Sequence, residues 1–382
     1  TVSPIVCGIN ALFGLLFFLS ILIFYLLPKY ESIMFNQENK VKKFLVKWYS
    51  VNARVLPWRR TNKYNILDPY KVFVSEFMLQ QTTVNTVKNK FQDFIIKWPK
   101  IEKLAKATEP QILKFWSGLG YYSRARNLLK SAKIINKNFH NKIPSSYDQL
   151  IKLPGVGDYT AKAILGIAFN QSVIPLDANI ERILARLYAI NKPIAKVKSE
   201  IKELGEKFKS EKYSSDLIQS FMDYGSKICI PRNPKCNICG INKICKSYKK
   251  NLQLKIPVKL RKKTIRPIKY TRAYVVVNEK NEILVRIRPN KGMLASMLEV
   301  PNDAWVKNKK LLIIDQDIKK IKTKLKSRGF FEYSFSHFDL ETEIFYGNIK
   351  KARLSNGNWI KKSTYSNSRM PTIMKKIVEL AV

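Results

Sequence analysis

Cys229, Cys236, Cys239 and Cys245 follow the pattern C-x6-C-x2-C-x5-C, four of the five cysteines in the chain. Thiols this close along a chain cannot sit apart in a fold, and the set reads as metal binding rather than as a disulfide framework. Four thiolates suit a zinc ion and equally suit a [4Fe–4S] cluster. Zinc ribbons usually show two C-x2-C knuckles, and here there is one. Lys227, Arg232, Lys235, Lys243 and Lys246 flank the ligands, as cations that a stapled loop could hold against phosphates. Cys7 lies in an apolar stretch and reads as inert. The only histidines are His140 and His337, which excludes His-rich metal sites and argues against a His-based triad.

A second pattern is Leu153-Pro154-Gly155-Val156-Gly157, set between two helical periods. Gly155 and Gly157 permit a tight turn whose N–H groups face outward at a helix start, an anion nest suited to a phosphate. A plain interhelical turn is the simpler reading. Asp177 follows in Leu176-Asp177-Ala178-Asn179-Ile180, at the opening of another amphipathic helix. It can be an N-cap worth about 1 kcal/mol. The helix dipole there also favours an ionised carboxylate, able to stabilise a cationic sugar. Glu76 stands between Phe73-Val74 and Phe77-Met78-Leu79. Desolvation would raise its pKa and suit a general acid; the alternative is a carboxylate on a solvated helix face.

The elements that must position these residues are read from periodicity. Residues 34–248 are helical in pattern, as in Ile180, Ile183, Leu184 and Leu187. Residues 249–268 are basic, contain proline and lack periodicity, and read as a linker. Residues 269–382 carry short β-rich runs, Ala273–Val277, Ile283–Ile287 and Glu341–Tyr346, and form a smaller α+β domain. Residues 1–33 form an apolar leader. Its run from Ile9 to Leu27 has the length of a bilayer span and lacks the basic start of a signal peptide. It is either an anchor or a non-native extension ahead of Met34; as a real span it would leave everything downstream in the cytoplasm, given the basic residues that follow it.

The 382 residues carry 70 Lys+Arg against 28 Asp+Glu, a formal charge of +42. With 46% hydrophobic residues the chain can build cores, so it is not a disordered polycation. The charge points to a polyanion, nucleic acid before an anionic membrane; a compositional lysine bias accounts for part of it.

Together the hairpin, the following Asp177 and the cysteine pattern resemble the helix-hairpin-helix DNA glycosylase superfamily. Ser75-Glu76-Phe77-Met78-Leu79-Gln80-Gln81-Thr82 and Gly118-Leu119-Gly120-Tyr121-Tyr122-Ser123-Arg124 narrow the resemblance to the MutY-type adenine DNA glycosylases. It runs from about residue 41 to the C-terminus. The apolar leader has no counterpart, and the stretch between Pro57-Trp58-Arg59 and Asp68-Pro69-Tyr70 is slightly long. The C-terminal part is similar to a Nudix-like domain on Gly292–Pro301 and Phe335-Ser336-His337. No R-E-x-x-E-E run follows Gly292, so recognition without pyrophosphate hydrolysis is implied.

The resemblance implies a mainly α helix-hairpin-helix glycosylase domain with an iron–sulfur loop, followed by the smaller Nudix-like domain. It implies a [4Fe–4S] cluster on the four cysteines. It implies a monomer, cytoplasmic and nucleoid-associated, that binds double-stranded DNA carrying adenine opposite 8-oxoguanine or guanine. Membrane attachment would follow only if the leader is native. Adenine leaves once protonated at N7, through an oxocarbenium-like sugar. Glu76 would be the general acid and Asp177 the counter-charge, with Tyr159 and Asn179 orienting the Asp and the water. Gln81 and Tyr121 would fill or wedge the base stack, Gln219 would contact adenine, and Phe335, Ser336 and His337 would read the lesion. Endonuclease III-like lyases carry a Schiff-base lysine where Tyr159 stands, and a phenol forms no imine, so a monofunctional enzyme is implied. Two rivals are a thymine or oxidised-pyrimidine glycosylase on this scaffold and a tethered DNA-binding protein without catalysis.

Overall fold

Asp177 ends an extended segment and opens the helix Ala178–Tyr188, whose Ile180, Ile183, Leu184 and Leu187 are all buried, as their spacing requires. The computed structural model describes residues 37–59, 67–259, 266–350 and 357–382. The apolar leader and the stretch between Arg59 and Leu67 lie outside the described residues. Among those described, no helix is long and apolar enough to cross a membrane.

The chain divides into two compact units that do not follow chain order. Of the described residues, the first comprises 37–59, 67–72, 145–152 and 156–259. It is helical: residues 37–52, Asp158–Ala168, Ala178–Tyr188, Lys198–Glu206 and Ser214–Lys227 surround a core of Val41, Leu45, Ile183, Leu184, Leu217 and Phe221. The Cys loop and residues 249–259 complete it. This last segment differs from the linker expected from its charge. Ile256 is buried in the helical core, and its carbonyl accepts from Arg186 Nε at 2.8 Å. Two apolar residues, Leu252 and Ile256, outweigh the lysines around them because lysines need only keep their ammonium groups in water.

Of the described residues, the second unit comprises 73–144, 153–155, 266–350 and 357–382. Its helical part includes most of Pro69–Leu79, then Val84–Lys97 and Ser123–Asn138. Its sheet contains β1 (Ile268–Val277), β2 (Glu282–Ile287), β3 (Leu298–Glu299), β4 (Lys326–Ser334), β5 (Asp339–Asn348) and β6 (Gly357–Lys361). The order is β3-β2-β1-β5-β4, with β6 also paired to β2. β1 and β5 run parallel from Ile268↔Asp339 to Val277↔Asn348, and the other pairings are antiparallel. Alternation along β1 sends Ala273, Val275 and Val277 to one face, against the helix Thr372–Ala381, and Tyr274 and Val276 to the other. Both faces are covered, which is why the strand reads as a nearly unbroken apolar run. The β4–β5 loop is a tight turn closed by Phe335 N–H donating to Phe338 O at 2.9 Å.

Candidate active site and metal centre

In the first unit Asp177 is the N-cap of Ala178–Tyr188. Its Oδ1 accepts from the backbone N–H of Asn179 (2.9 Å) and Ile180 (2.7 Å), and its Oδ2 from Asn179 Nδ2 (2.8 Å). Burial pushes its carboxyl above the ordinary value, against these three hydrogen bonds and the charge of Arg182. The sequence suggested a carboxylate held ionised by the helix terminus; here desolvation is the larger effect. Asn179 is fixed on its other side, its Oδ1 accepting from Arg182 Nη2 at 2.8 Å. Arg182 also donates to Cys229 O (2.8 Å) and Gly225 O (2.7 Å). A chain of hydrogen bonds therefore leads from the Asp177 carboxylate through Asn179 and Arg182 to the first cysteine of the cluster loop.

Tyr159 is half-buried in the first turn of Asp158–Ala168 and touches the same helical core. Lys162, one turn on, is paired with Asp158 at 3.1 Å. Of the two hairpin glycines, Gly155 is demanded by geometry. Its φ is +81°, and a Cβ there would lie 2.8 Å from Asn127 Cβ and 2.9 Å from Phe77 Cε1. Gly157 has extended backbone and caps the following helix, with open space where a Cβ would stand.

Cys229 follows the helix Ser214–Lys227, Cys236 opens a 3-10 turn, Cys239 closes it, and Cys245 caps the short helix Lys246–Lys249. All four are free thiols lining one cavity with Ile183, Arg186 and Tyr224. Arg186 Nη1 donates to Cys229 Sγ at 3.3 Å and the Tyr224 hydroxyl to Cys239 Sγ at 3.2 Å. Burial raises the thiols of Cys236, Cys239 and Cys245, the last to about 11. Such thiols become thiolates when a cationic centre replaces the lost hydration. Of the flanking cations, Arg232, Lys235 and Lys243 are exposed, whereas Lys227 donates to Asn52 O at 2.7 Å and serves the fold.

Glu76 belongs to the second unit. It is 6% exposed on Pro69–Leu79, among Phe73, Val74, Phe77 and Met78, so it does not lie on a solvated face. Gln81 and Tyr121 stand on two turns of this unit, both exposed, Tyr121 at 43%, and both with left-handed backbone (φ +55° and +47°). Tyr121 is thus not a core aromatic. Its hydroxyl is hydrogen-bonded to the Ser336 hydroxyl. Ser336 and His337 form the exposed tip of the β4–β5 loop, and with Tyr121, Arg126, Met293 and Phe335 they line one cavity.

Two expected residues are placed otherwise. Phe335, expected to read the lesion with Ser336 and His337, turns inward into an aromatic cluster, 4.9 Å from the Phe338 ring centroid, 5.0 Å from Tyr333 and 5.5 Å from Trp305. The exposed tip of that loop is polar because its large apolar residue is drawn to the domain core. Gln219, read as an adenine contact, is 2% exposed, and its amide donates to Ser215 O and Oγ on its own helix.

Comparison with known proteins bears on this arrangement. Residues 74–209 match the family model described as "HhH-GPD superfamily base excision DNA repair protein", and residues 272–380 match a NUDIX domain. The adenine DNA glycosylase of Buchnera aphidicola from Schizaphis graminum is 34% identical over 354 residues, covering 88% of this chain and 97% of that protein. The chain belongs to the adenine DNA glycosylase family. The human adenine DNA glycosylase is 29% identical over 396 residues, 87% of this chain and 72% of that one. Among solved structures, a thermostable thymine-DNA glycosylase aligns with a TM-score of 0.49 at 27% identity, covering 56% of this chain and 98% of that one.

In this member of the adenine DNA glycosylase family, the residues that sequence reading missed are buried and charged. Arg124, Arg182 and Arg186 each bind several carbonyls, and Asp223 is wholly buried between Arg54 and Arg59. The signal available for the arginines was their place inside apolar helical periods. Asp223 and its partners lie 164 and 169 residues apart, and nothing local marks them.

Proposed function

We propose that this chain removes adenine from duplex DNA in which it stands opposite 8-oxoguanine or guanine, leaving an intact abasic strand. Membership of the adenine DNA glycosylase family carries the base; the oriented Asp177–Asn179 pair supports hydrolysis. The buried Glu76 carboxyl would protonate the adenine at N7, making it a neutral leaving group. Asp177 would hold the cationic sugar. That cation favours the ionised carboxylate, offsetting the burial that raises its pKa. Asn179, with both ends of its amide engaged, keeps the Asp177 oxygen in place.

Three further readings belong to the same proposal. Gln81 and Tyr121 enter the base stack beside the mispair while adenine is flipped out. Ser336 and His337, exposed and polar, read the 8-oxoguanine from the opposite strand; Phe335 shapes the loop rather than entering DNA. Hydrolysis is monofunctional, since Tyr159 cannot form an imine and Lys162 is held by Asp158.

Cys229, Cys236, Cys239 and Cys245 would hold a [4Fe–4S] cluster. The C-x6-C-x2-C-x5-C spacing, with its single C-x2-C, supports it over zinc, and the four thiols line a common cavity. Bound, the cluster would staple residues 229–245 into a rigid loop that presents Arg232, Lys235 and Lys243.

The test is base release from duplexes containing adenine opposite 8-oxoguanine, adenine opposite guanine, thymine opposite guanine, and thymine glycol. Release from the first two alone is expected. Preferential release of a pyrimidine, or binding without release, would overturn the proposal.

A further inference from the structure

Arg124, 6% exposed at the start of Ser123–Asn138, joins two separate stretches of chain. Its Nη1 donates to the carbonyls of Phe77 (3.2 Å), Met78 (2.8 Å) and Gln80, which lead into the turn bearing Gln81. Its Nη2 donates to Leu119 O (2.8 Å) and Gly120 O (3.0 Å), which lead into Tyr121, and to Thr82 Oγ1 at 2.9 Å. The Thr82 hydroxyl in turn donates to Leu119 O at 3.3 Å. The guanidinium carbon is also 5.7 Å from the Tyr121 ring centroid and 5.5 Å from that of Trp116.

Gln81 and Tyr121 both hold left-handed backbone, which non-glycine residues keep only where the surroundings impose it. Carbonyls leading into both turns converge on one planar cation, so neither turn can relax without breaking bonds shared with the other. Burial lowers the Arg124 guanidinium to about 10, still charged at neutral pH. A lysine has one nitrogen and could not span the same acceptors.

We propose that Arg124 is a positioning residue that locks the Gln81 and Tyr121 turns into one rigid, two-pronged wedge for insertion beside the mispair. This rests on the reading of Gln81 and Tyr121 as wedge residues. It makes Arg124 and Thr82, which need touch no DNA, determinants of how readily the stack opens.

The experiment is a mutant cycle on the full chain. Affinity for a duplex with a non-cleavable adenine analogue opposite 8-oxoguanine is measured, together with the fluorescence of 2-aminopurine placed beside the mispair. Arg124→Lys is expected to weaken binding about tenfold and to suppress the unstacking signal. Thr82→Val, which exchanges the hydroxyl for a methyl of similar size, should do the same more weakly, and it serves as the test if Arg124→Lys melts much below the parent. In a Gln81→Ala/Tyr121→Ala background neither change should weaken binding further. Equal losses in both backgrounds would overturn the inference and assign Arg124 to the fold alone. If Gln81→Ala/Tyr121→Ala itself leaves binding and unstacking intact, the wedge reading fails and the inference with it.

Discussion

A methyl group added to Gly225 would lie 2.6 Å from Asn179 Cβ, closer than two carbons can stand. Gly225 also supplies the carbonyl that fixes Arg182, the partner of Asn179. The helix Ser214–Lys227 thus meets the N-terminus of Ala178–Tyr188 at a point with room for a hydrogen atom only. Gly225→Ala must shift Asn179 or the helix that carries Gly225. Base removal is expected to fall about tenfold or more, since small misplacements at a reacting centre are costly, while mispair affinity changes little. Single-turnover rates beside equilibrium binding check this; an unchanged rate would separate Asn179 from the chemistry.

Glu76→Gln preserves shape but has no proton to give. The rate of adenine release should drop by about a hundredfold or more, with mispair binding retained. Retention of more than about a tenth of the rate, under about 1.4 kcal/mol of barrier, would mean that Glu76 is misassigned.

Tyr159→Lys should introduce a borohydride-trappable adduct and some strand cleavage, both absent from the parent chain. Lys162 supplies the control, because its pairing with Asp158 keeps it engaged. Efficient trapping by the unaltered chain would contradict the monofunctional assignment.

The four thiols predict a brown protein with about four iron atoms and four sulfides per chain. Metal analysis after iron-replete expression checks it. One zinc and no iron would overturn the cluster assignment.

Asp223 predicts a pH dependence of stability. Burial alone would raise its carboxyl, but Arg59 (2.7 and 2.8 Å) and Arg54 (2.6 and 2.9 Å) hold it below the ordinary value. The folded state therefore binds this proton less readily than the unfolded state. Its stabilisation is fully present above about pH 4 and is lost as pH falls through the lower, folded-state value. Asp223→Asn should cost on the order of 3–5 kcal/mol at neutral pH, leaving two arginines without a counter-charge. It should also flatten the acid limb of stability measured by urea unfolding between pH 3 and 7.

Local features are legible in the amino-acid sequence itself. The gathering of the four cysteines into one loop and the Asp177 cap depend on residues a few positions apart, so spacing alone marks them. The apolar period of Ala178–Tyr188 likewise selects its buried face. Apolar runs mark β1, β2 and β5, though all three strands extend further, because hydrogen bonding to a neighbouring strand continues beyond the apolar run.

Tertiary structure alone decided where these side chains turn. Gln219 bonds within its helix and Phe335 joins an aromatic cluster, outcomes set by packing rather than by residue type. Ile256 pulls a basic segment into the core. Arg124, Arg182, Arg186 and Asp223 find partners up to 169 residues away. Burying a charge is favourable only where several opposing dipoles or charges converge on it. That convergence is a property of the folded chain, and no short window of sequence contains it.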